Sequence, residues 1–172
     1  MSDYKSFETE RLLIRPASIE DAGFILELFN SPKWLQFIGD RNLKTEEDAR
    51  KYIEDVMLPQ LRSHGFSNNI VIRKSDGRKM GSCGLYDREG LEGIDLGFAF
   101  LPDYEGKGYA IEAASEIVRA AKEEFGIDRL EAITLEENAG SRKLLEKLGF
   151  ELKGTIRIPN DPEELMHYKL DL

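Results

Sequence analysis

Residues 94–110 read IDLGFAFLPDYEGKGYA, and this stretch decides the fold that the sequence predicts. Its first half belongs to an apolar strand that we place from Leu91 to Leu101. Two glycines, Gly106 and Gly108, then form a turn. Apolar residues recur at helical spacing from 111 to 125, and a glycine follows as the helix stop. The sequence therefore predicts a strand, a glycine turn and a helix in direct succession.

The two faces of this strand differ, because side chains alternate along a strand. One face carries Ile94, Leu96, Phe98 and Phe100. The other carries Gly93, Asp95, Gly97 and Ala99. Small side chains leave room for a ligand against the backbone, and the carboxylate of Asp95 stands in that gap. We expect a functional site on this second face.

The glycine turn has the features of a phosphate site. A helix start offers unpaired backbone N–H groups and a partial positive charge to an anion. Gly106 and Gly108 let a phosphate approach the backbone, and Lys107 adds charge. The patterns of nucleotide P-loops and of dinucleotide folds are absent from the sequence. A turn that only needs a flexible backbone is the alternative interpretation.

The rest of the chain supplies further strands and helices. Strands are expected at Arg11–Arg15, Asn69–Ile72, Met80–Tyr86, Leu130–Leu135, Phe150–Ile158 and Glu164–Leu170. Helix starts are expected at Ser18, where Asp21 completes a Ser-x-x-Asp capping pattern, at Thr45 and at Asn138. The first of these helices is expected to end before Pro32. Hairpin strands that alternate with separate helices predict an α/β or α+β fold around a mixed sheet. We expect one domain over residues 1–172.

Composition narrows the classes of function. The formal net charge of −9 argues against a nucleic-acid partner and is compatible with an amine substrate. Cys83 is the only cysteine and lies in no His/Cys cluster, so neither a disulfide nor a metal site is expected. No apolar run is long enough for a membrane span and the first residues do not resemble a signal peptide, which predicts a cytoplasmic protein without a membrane partner.

The turn Glu105-Gly106-Lys107-Gly108-Tyr109-Ala110 resembles the Arg/Gln-x-x-Gly-x-Gly/Ala signature of the GNAT acetyltransferases. Glu105 stands where that family usually has Arg or Gln. Further similarities follow in the same order along almost the whole chain: residues 9–15, 95–98, 138–141 and 148–150. The chain is most similar to the RimJ/RimL-type subgroup, which includes ribosomal-protein alanine N-acetyltransferases.

This resemblance implies a mostly antiparallel mixed sheet flanked by helices, with splayed strands that form an acyl-CoA cleft. Phe98, Ala99 and Phe100 would pair with the pantetheine arm of acetyl-CoA. The pyrophosphate would lie on Glu105, Gly106, Lys107, Gly108, Tyr109 and Ala110. Asn138 would contact the pantetheine arm, and Ser141 would lie near the cofactor sulfur.

The resemblance also implies the chemistry, in which a primary amine attacks the acetyl-CoA thioester directly. Asp95 lies where many relatives carry a Glu and would accept the amine's proton, directly or through a water. Leu145 replaces the Tyr that many relatives use as the acid, so Ser141 would take that role. Asp95 as a solvated strand-end carboxylate and Ser141 as a helix cap are the alternatives. Residues 31–42 would form part of the acceptor side, where Trp34, Phe37 and Tyr86 either line the pocket or belong to the core.

Several functional alternatives stay open at this point. The acceptor is either a protein N-terminal α-amine or a small-molecule amine, since the fold does not choose between them. A non-catalytic acyl-CoA sensor is a second class, suggested by Glu105 and by the missing Tyr. Acetylation of aminoacyl-tRNA is disfavoured by the acidic charge. A homodimer is possible because relatives are often dimers.

Overall fold

Eight strands form the centre of the computed structural model, which describes residues 4–172. They are β1 (Phe7–Glu8), β2 (Leu12–Pro16), β3 (Asn68–Arg73), β4 (Lys79–Tyr86), β5 (Ile94–Phe100), β6 (Arg129–Thr134), β7 (Glu151–Ile156) and β8 (Leu165–Asp171). They lie in one sheet in the order β1-β2-β3-β4-β5-β6-β8-β7. Every neighbouring pair is antiparallel except β5 and β6, which are parallel. The sheet is therefore mixed and mostly antiparallel, as expected.

Helices flank this sheet. They are α1 (Ala22–Phe29), α2 (Pro32–Phe37), α3 (Glu46–Tyr52), α4 (Leu58–His64), α5 (Tyr109–Glu123) and α6 (Ala139–Lys147). A π-helical segment, Ile53–Met57, joins α3 to α4. The expected cap at Thr45 is present, because its side chain accepts a hydrogen bond from the Asp48 N–H.

The buried apolar residues form two clusters. The larger one combines α5 with sheet residues and includes Leu96 and Phe100 of β5 and Leu145 of α6. The second combines α1, α2 and α3 and is contacted by Ala99. Alternate residues of β5 thus contact different clusters, which confirms the predicted period of two along this strand.

The strands β5 and β6 separate after two paired positions. Ile94 pairs with Leu130 and Asp95 with Glu131, and the pairing then ends. On its other side β5 stays paired with β4 as far as Phe100. The edge of β5 that faces β6 is therefore unpaired from Leu96 onward, and the splayed strands that the sequence predicted are present.

A buried carboxylate ties three segments of the chain together. Asp21 is fully buried in the turn before α1. It accepts two hydrogen bonds of 2.8 Å from Arg15 of β2 and lies 2.7 Å from Lys79 of β4. It also accepts a hydrogen bond from the Ser18 N–H, the capping contact expected from the sequence. Although burial acts to raise it, these bonds lower the pKa of Asp21 to about 2.

Two elements differ from the sequence expectation. The short strand β1 was not predicted, and neither was α2. The first helix ends before Pro32 as expected, since α1 stops at Phe29, but a further helix begins at Pro32 itself. Proline is compatible with that position because the N–H it lacks has no helical partner there. Among the described residues, no helix is both long and apolar enough to cross a bilayer.

Candidate active site

Two cavities adjoin where β5 and β6 splay. The glycine-turn cavity, about 390 Å³, is lined by the end of β5, the turn before α5 and one face of α6. The aspartate cavity, about 330 Å³, is lined by Asp95, Tyr86, Arg88 and residues from the α1–α4 side. Six residues line both: Trp34, Phe37, Ile38, Phe98, Asn138 and Ser141. A molecule in one cavity is therefore adjacent to a molecule in the other.

The glycine-turn cavity brings together almost all residues that the sequence assigned to a cofactor. Its lining includes Phe98, Ala99, Phe100, Glu105, Gly106, Gly108, Tyr109, Ala110, Asn138 and Ser141. Lys107 is the exception, because its ammonium donates a hydrogen bond to the Asp103 carbonyl at 3.2 Å and it does not line the cavity. Its charge is close to the turn, but its side chain does not face the cavity.

The turn requires its two glycines. Gly106 has a φ of +73° and Gly108 a φ of +80°, a backbone region that side-chain-bearing residues rarely adopt. Gly108 is also the N-cap of α5, so the first N–H groups of a fifteen-residue helix begin at this turn. A Cβ atom on Gly108 would lie 3.3 Å from an Arg11 nitrogen. The turn thus presents backbone donors without side chains in front of them.

Arg11 braces this turn from the other end of the chain. Its Nη1 donates to the Lys107 carbonyl at 3.0 Å, and its Nε donates to Glu112 of α5 at 2.7 Å. Its guanidinium also lies 4.3 Å from the centre of the Tyr109 ring. The similarity noted at residues 9–15 therefore has a structural reason, since Thr9 donates to Glu112 as well.

Three cations near the glycine-turn cavity were not predicted. Lys33 of α2 contacts the Glu105 carboxylate at 2.5 Å, so this unusual acidic residue has a cationic partner. Lys143 and Lys147 lie one turn apart on α6 and line the same cavity. Helical spacing of four residues is the signal that would have found this pair.

Ser141 lies in the first turn of α6. Asn138 is the cap of this helix, because its Oδ1 accepts a hydrogen bond from the Ser141 N–H at 3.2 Å. Within residues 4–172 the Ser141 hydroxyl has no hydrogen-bond partner. The capping alternative for this hydroxyl is therefore wrong, and the hydroxyl is available where the two cavities adjoin. Leu145, one turn later, is buried in the core.

Asp95 is buried rather than solvated. Only 1% of the residue is exposed, so the strand-end alternative is wrong. Arg88 donates from its Nε to Asp95 Oδ2 at 3.2 Å, while Oδ1 is buried without a partner. Burial raises the pKa of Asp95 to about 6, against the opposing effect of Arg88.

The small residues beside Asp95 make room for side chains of this chain rather than for a ligand. A Cβ on Gly97 would lie 2.8 Å from a ring carbon of Tyr86. A Cβ on Gly93 would lie 2.8 Å from a Glu131 oxygen. The expectation of open backbone is therefore corrected at these two positions. Burial raises the pKa of Tyr86, which keeps its phenol neutral.

A second buried carboxylate adjoins Asp95 and was missed. Glu131 of β6 is paired in register with Asp95 and is 2% exposed. It accepts a hydrogen bond from the Gly93 N–H and contacts His167 Nε2 at 2.6 Å. His167 is thus paired with a buried carboxylate and is itself only partly buried, and no local pattern in the sequence links these three residues.

Trp34 forms the wall between the two cavities. Its ring stacks on Phe29 with centroids 3.9 Å apart, and the residue is 8% exposed. Its indole Nε1 is buried without a hydrogen-bond partner. Both interpretations of this aromatic residue hold, since it belongs to the core and lines both cavities.

Comparison with known proteins agrees with this architecture. Residues 11–151 match the model of the acetyltransferase (GNAT) domain. The chain belongs to the GNAT acetyltransferase family. It is accordingly an N-acetyltransferase.

Individual relatives are similar over most of their length. An uncharacterised N-acetyltransferase, p20, of Bacillus licheniformis is 28% identical over 153 residues, which cover 87% of this GNAT chain and 84% of that protein. The crystal structure of a GNAT acetyltransferase from Bacillus anthracis superposes with a TM-score of 0.79 at 26% identity, covering 97% of this chain and 98% of that one.

RimL is among the structural neighbours. This ribosomal L7/L12 α-N-protein acetyltransferase, in complex with coenzyme A, superposes with a TM-score of 0.78 at 14% identity and covers 98% of both chains. At that identity the likeness concerns the fold alone.

Proposed function

We propose that this chain transfers an acetyl group from acetyl-CoA in the glycine-turn cavity to a primary amine in the aspartate cavity. The observation that carries the proposal is the position of Ser141 and Phe98, which line both cavities beside the unpaired edge of β5. A donor and an acceptor in adjoining cavities meet without leaving the protein, and such proximity lowers the barrier to reaction.

The residues present fit acetyl-CoA, which supplies an acetyl group as a reactive thioester. The N–H groups that follow Gly106 and Gly108 suit the pyrophosphate. The unpaired edge of β5 at Phe98–Phe100 suits the amides of the pantetheine arm. Lys143 and Lys147 add positive charge for phosphate groups.

Asp95 is proposed as the base. With a pKa of about 6 it is ionised at neutral pH and still basic enough to accept a proton. Its free Oδ1 is the atom that would receive the amine's proton, directly or through a water. In the balanced reaction the amine nitrogen bonds to the acetyl carbon, the carbon–sulfur bond breaks, and the amine gives up one proton.

Ser141 is proposed as the hydrogen-bond donor to the departing thiolate, which ends as a thiol. Its hydroxyl is free of protein partners, and Leu145 has no group that could replace it. A hydrogen bond to a charge that develops only in the transition state accelerates the chemical step rather than binding.

The non-catalytic sensor remains the second candidate, because the usual acid is missing. The free hydroxyl of Ser141 and the buried Asp95 favour catalysis over sensing, since a sensor needs neither group. Glu105 does not oppose binding of a phosphate as strongly as its charge suggests, because Lys33 is paired with it.

Release of coenzyme A from acetyl-CoA tests the proposal, with a panel of peptides, amino acids, polyamines and aminoglycosides as acceptors. Amine-dependent release supports transfer. Acetyl-CoA binding by calorimetry without release for any amine supports the sensor instead.

Gly108→Glu is expected to weaken acetyl-CoA binding by more than about 100-fold, because it places bulk and negative charge in the turn.

Gly77→Glu is the matched control for Gly108→Glu. Gly77 also has a positive φ, +72°, and a Cβ added there would meet no atom within 4 Å, so the same backbone strain is introduced in a turn that lines neither cavity. Normal acetyl-CoA affinity in Gly108→Glu would contradict the site assignment.

Ser141→Ala should lower kcat about 10-fold or more with little change in acetyl-CoA affinity.

A further inference from the structure

The aspartate cavity is lined by the buried side-chain polar atoms that have no partner among the described residues. Among residues 4–172, two buried side-chain atoms have no hydrogen-bond partner, Trp34 Nε1 and Asp95 Oδ1. Both residues line the aspartate cavity and are more than nine-tenths buried. Because buried polar groups are almost always paired, a ligand in this cavity can supply a partner to each of these two atoms.

Trp34 Nε1 needs a hydrogen-bond acceptor, whereas Asp95 Oδ1 needs a hydrogen-bond donor. An indole N–H is a donor only, and an ionised carboxylate is an acceptor only. The bound molecule must therefore present an acceptor to Trp34 and a donor to Asp95. A protonated polyamine offers N–H donors along its whole length and leaves Trp34 unpaired.

Two arginines of the same cavity have unused donors. Arg41 has no hydrogen-bond or ion-pair partner anywhere in the described part of the chain. Arg88 donates a hydrogen bond only from its Nε, to Asp95, and its guanidinium lies 5.6 Å from the centre of the Tyr86 ring, so its two Nη groups have no hydrogen-bond partner in residues 4–172. A guanidinium with free N–H groups matches the geometry of a carboxylate.

The acidic residues of this cavity are already engaged. Asp87 pairs with His64 at 3.0 Å, and Asp161 accepts a hydrogen bond from the Glu163 N–H at 2.9 Å. Asp95 is held by Arg88 through one oxygen. Asp95 Oδ1 is thus the buried carboxylate oxygen of this cavity that has no partner in residues 4–172, and Arg41 and the Nη groups of Arg88 are its cationic donors without a hydrogen-bond partner there.

The size of the cavity restricts the ligand further. Its volume of about 330 Å³ is at the lower end of small-molecule pockets, which span roughly 300–1,000 Å³. Aromatic rings of Phe29, Trp34 and Phe37 form part of the wall. A molecule of amino-acid or dipeptide size fits this volume.

We propose that the acceptor is a small amine that also carries a free carboxylate, an amino acid or a dipeptide. Its amine lies at Asp95, its carboxylate is bound by Arg41 and the free Nη groups of Arg88, and an acceptor oxygen takes the Trp34 N–H. This rests on the proposed function. The amine nitrogen bonds to the acetyl carbon and the carbon–sulfur bond breaks. One amine proton passes to Asp95 and from there to solvent, and the departing thiolate takes up one proton from solvent to become a thiol.

Matched pairs of acceptors test the carboxylate directly. Coenzyme A release is measured for the free amino acids and a set of dipeptides, and for the C-terminal amide of each. We expect kcat/KM to be about 10- to 100-fold lower for the amides, because charge-assisted hydrogen bonds are lost. The α-amine of an amino-acid amide is less basic than that of the free acid, so a larger fraction of it is in the reactive neutral form. A slower reaction of the amide therefore cannot be caused by ionisation of its amine. Equal rates, or a preference for amides or polyamines, overturn the proposal.

Arg41→Gln locates the effect on the protein. It should raise KM for the free amino acid about 10- to 100-fold, change kcat little, and leave the amide reaction and acetyl-CoA affinity unaltered. Arg62→Gln is the control, since Arg62 is an exposed arginine of α4 that lines neither cavity. An Arg41→Gln enzyme that still prefers the free acid overturns the assignment of Arg41.

The outcomes also separate this proposal from the proposed function. If amides, polyamines or aminoglycosides release coenzyme A but no carboxylate-bearing amine does, the carboxylate proposal fails and acetyl transfer stands. If acetyl-CoA binds in the calorimeter and no amine of any class reacts, both fail.

Discussion

Asp21 and Asp95 are two buried carboxylates with arginine partners, and they differ in how completely they are paired. Asp21 receives two bonds from Arg15, a contact from Lys79 and a backbone N–H. Asp95 receives one bond from Arg88 and keeps one oxygen without a partner. The pKa shifts follow, lowered to about 2 for Asp21 and raised to about 6 for Asp95.

The difference separates a structural charge, Asp21, from the proposed base, Asp95. A fully paired carboxylate holds its proton weakly and ties chain segments together. A half-paired one is destabilised in its charged form and is ready to accept a proton. Both residues are acidic and buried, so burial alone does not distinguish these roles, whereas the number of hydrogen bonds does.

The largest effect is expected at Asp21. Asp21→Asn should lower the free energy of unfolding by about 3 kcal/mol, because it leaves Arg15 and Lys79 without their buried counter-charge. Urea denaturation followed by circular dichroism measures this loss. Asp76→Asn is the control, since Asp76 also accepts two bonds from one arginine, Arg73, in an exposed turn. An equally large loss at Asp76 would show that burial is not the cause.

Acid should reveal the same contrast in the unmodified protein. The folded pKa of Asp21, about 2, lies below the ordinary 3.8, so its contribution is fully present above about pH 4 and is lost as pH falls toward 2. The expected loss is roughly 2 kcal/mol. Urea midpoints between about pH 2 and 5 measure it. If the stability of Asp21→Asn falls with acid as steeply as that of the unmodified chain, Asp21 is not the titrating group.

The smallest effect is expected at Asp95 and concerns rate. Asp95→Asn should lower kcat/KM about 10-fold and remove the rise of rate with pH near 6, since the ionised carboxylate is the base. It should not lower the free energy of unfolding, because the raised pKa means that ionised Asp95 destabilises the fold above that pH. A pH–rate profile and urea denaturation measure both.

Asp87→Asn is the control for this prediction. Asp87 lines the same cavity but is exposed and paired with His64. The Asp87→Asn enzyme should keep the rise of rate near pH 6. If the rise disappears there and persists in Asp95→Asn, the base has been misassigned.

The glycine-turn side of the molecule was largely predictable from sequence. Its parts are local: Gly106 and Gly108 need a positive φ, and Asn138 caps the helix that begins beside it. Such requirements act over a few residues and leave a pattern in the sequence. The contributions of Lys33 and Arg11 were not predictable in this way, because each contacts the turn from a distant segment.

The aspartate cavity was much less predictable. Trp34 and Arg41 come from α2 and the segment after it, where no helix was predicted. The Arg88 contact and the neighbouring Glu131–His167 pair depend on strand register rather than on spacing along the chain. Even Asp21, whose capping contact was predicted, has its main partners on two separate strands. Long-range pairing leaves no local pattern to detect.

The hydrogen bonds from Arg11 to Lys107 and Glu112 affect when the glycine turn forms during folding. Arg11 is 96 residues before Lys107 and 101 residues before Glu112 in the sequence. The glycine turn is therefore completed only after a slow, long-range loop closure, and a partly synthesised or unfolded chain lacks it. With acetyl-CoA bound at this turn as proposed, the ligand would select folded molecules, and at 100 times its Kd it would stabilise them by about 2.7 kcal/mol.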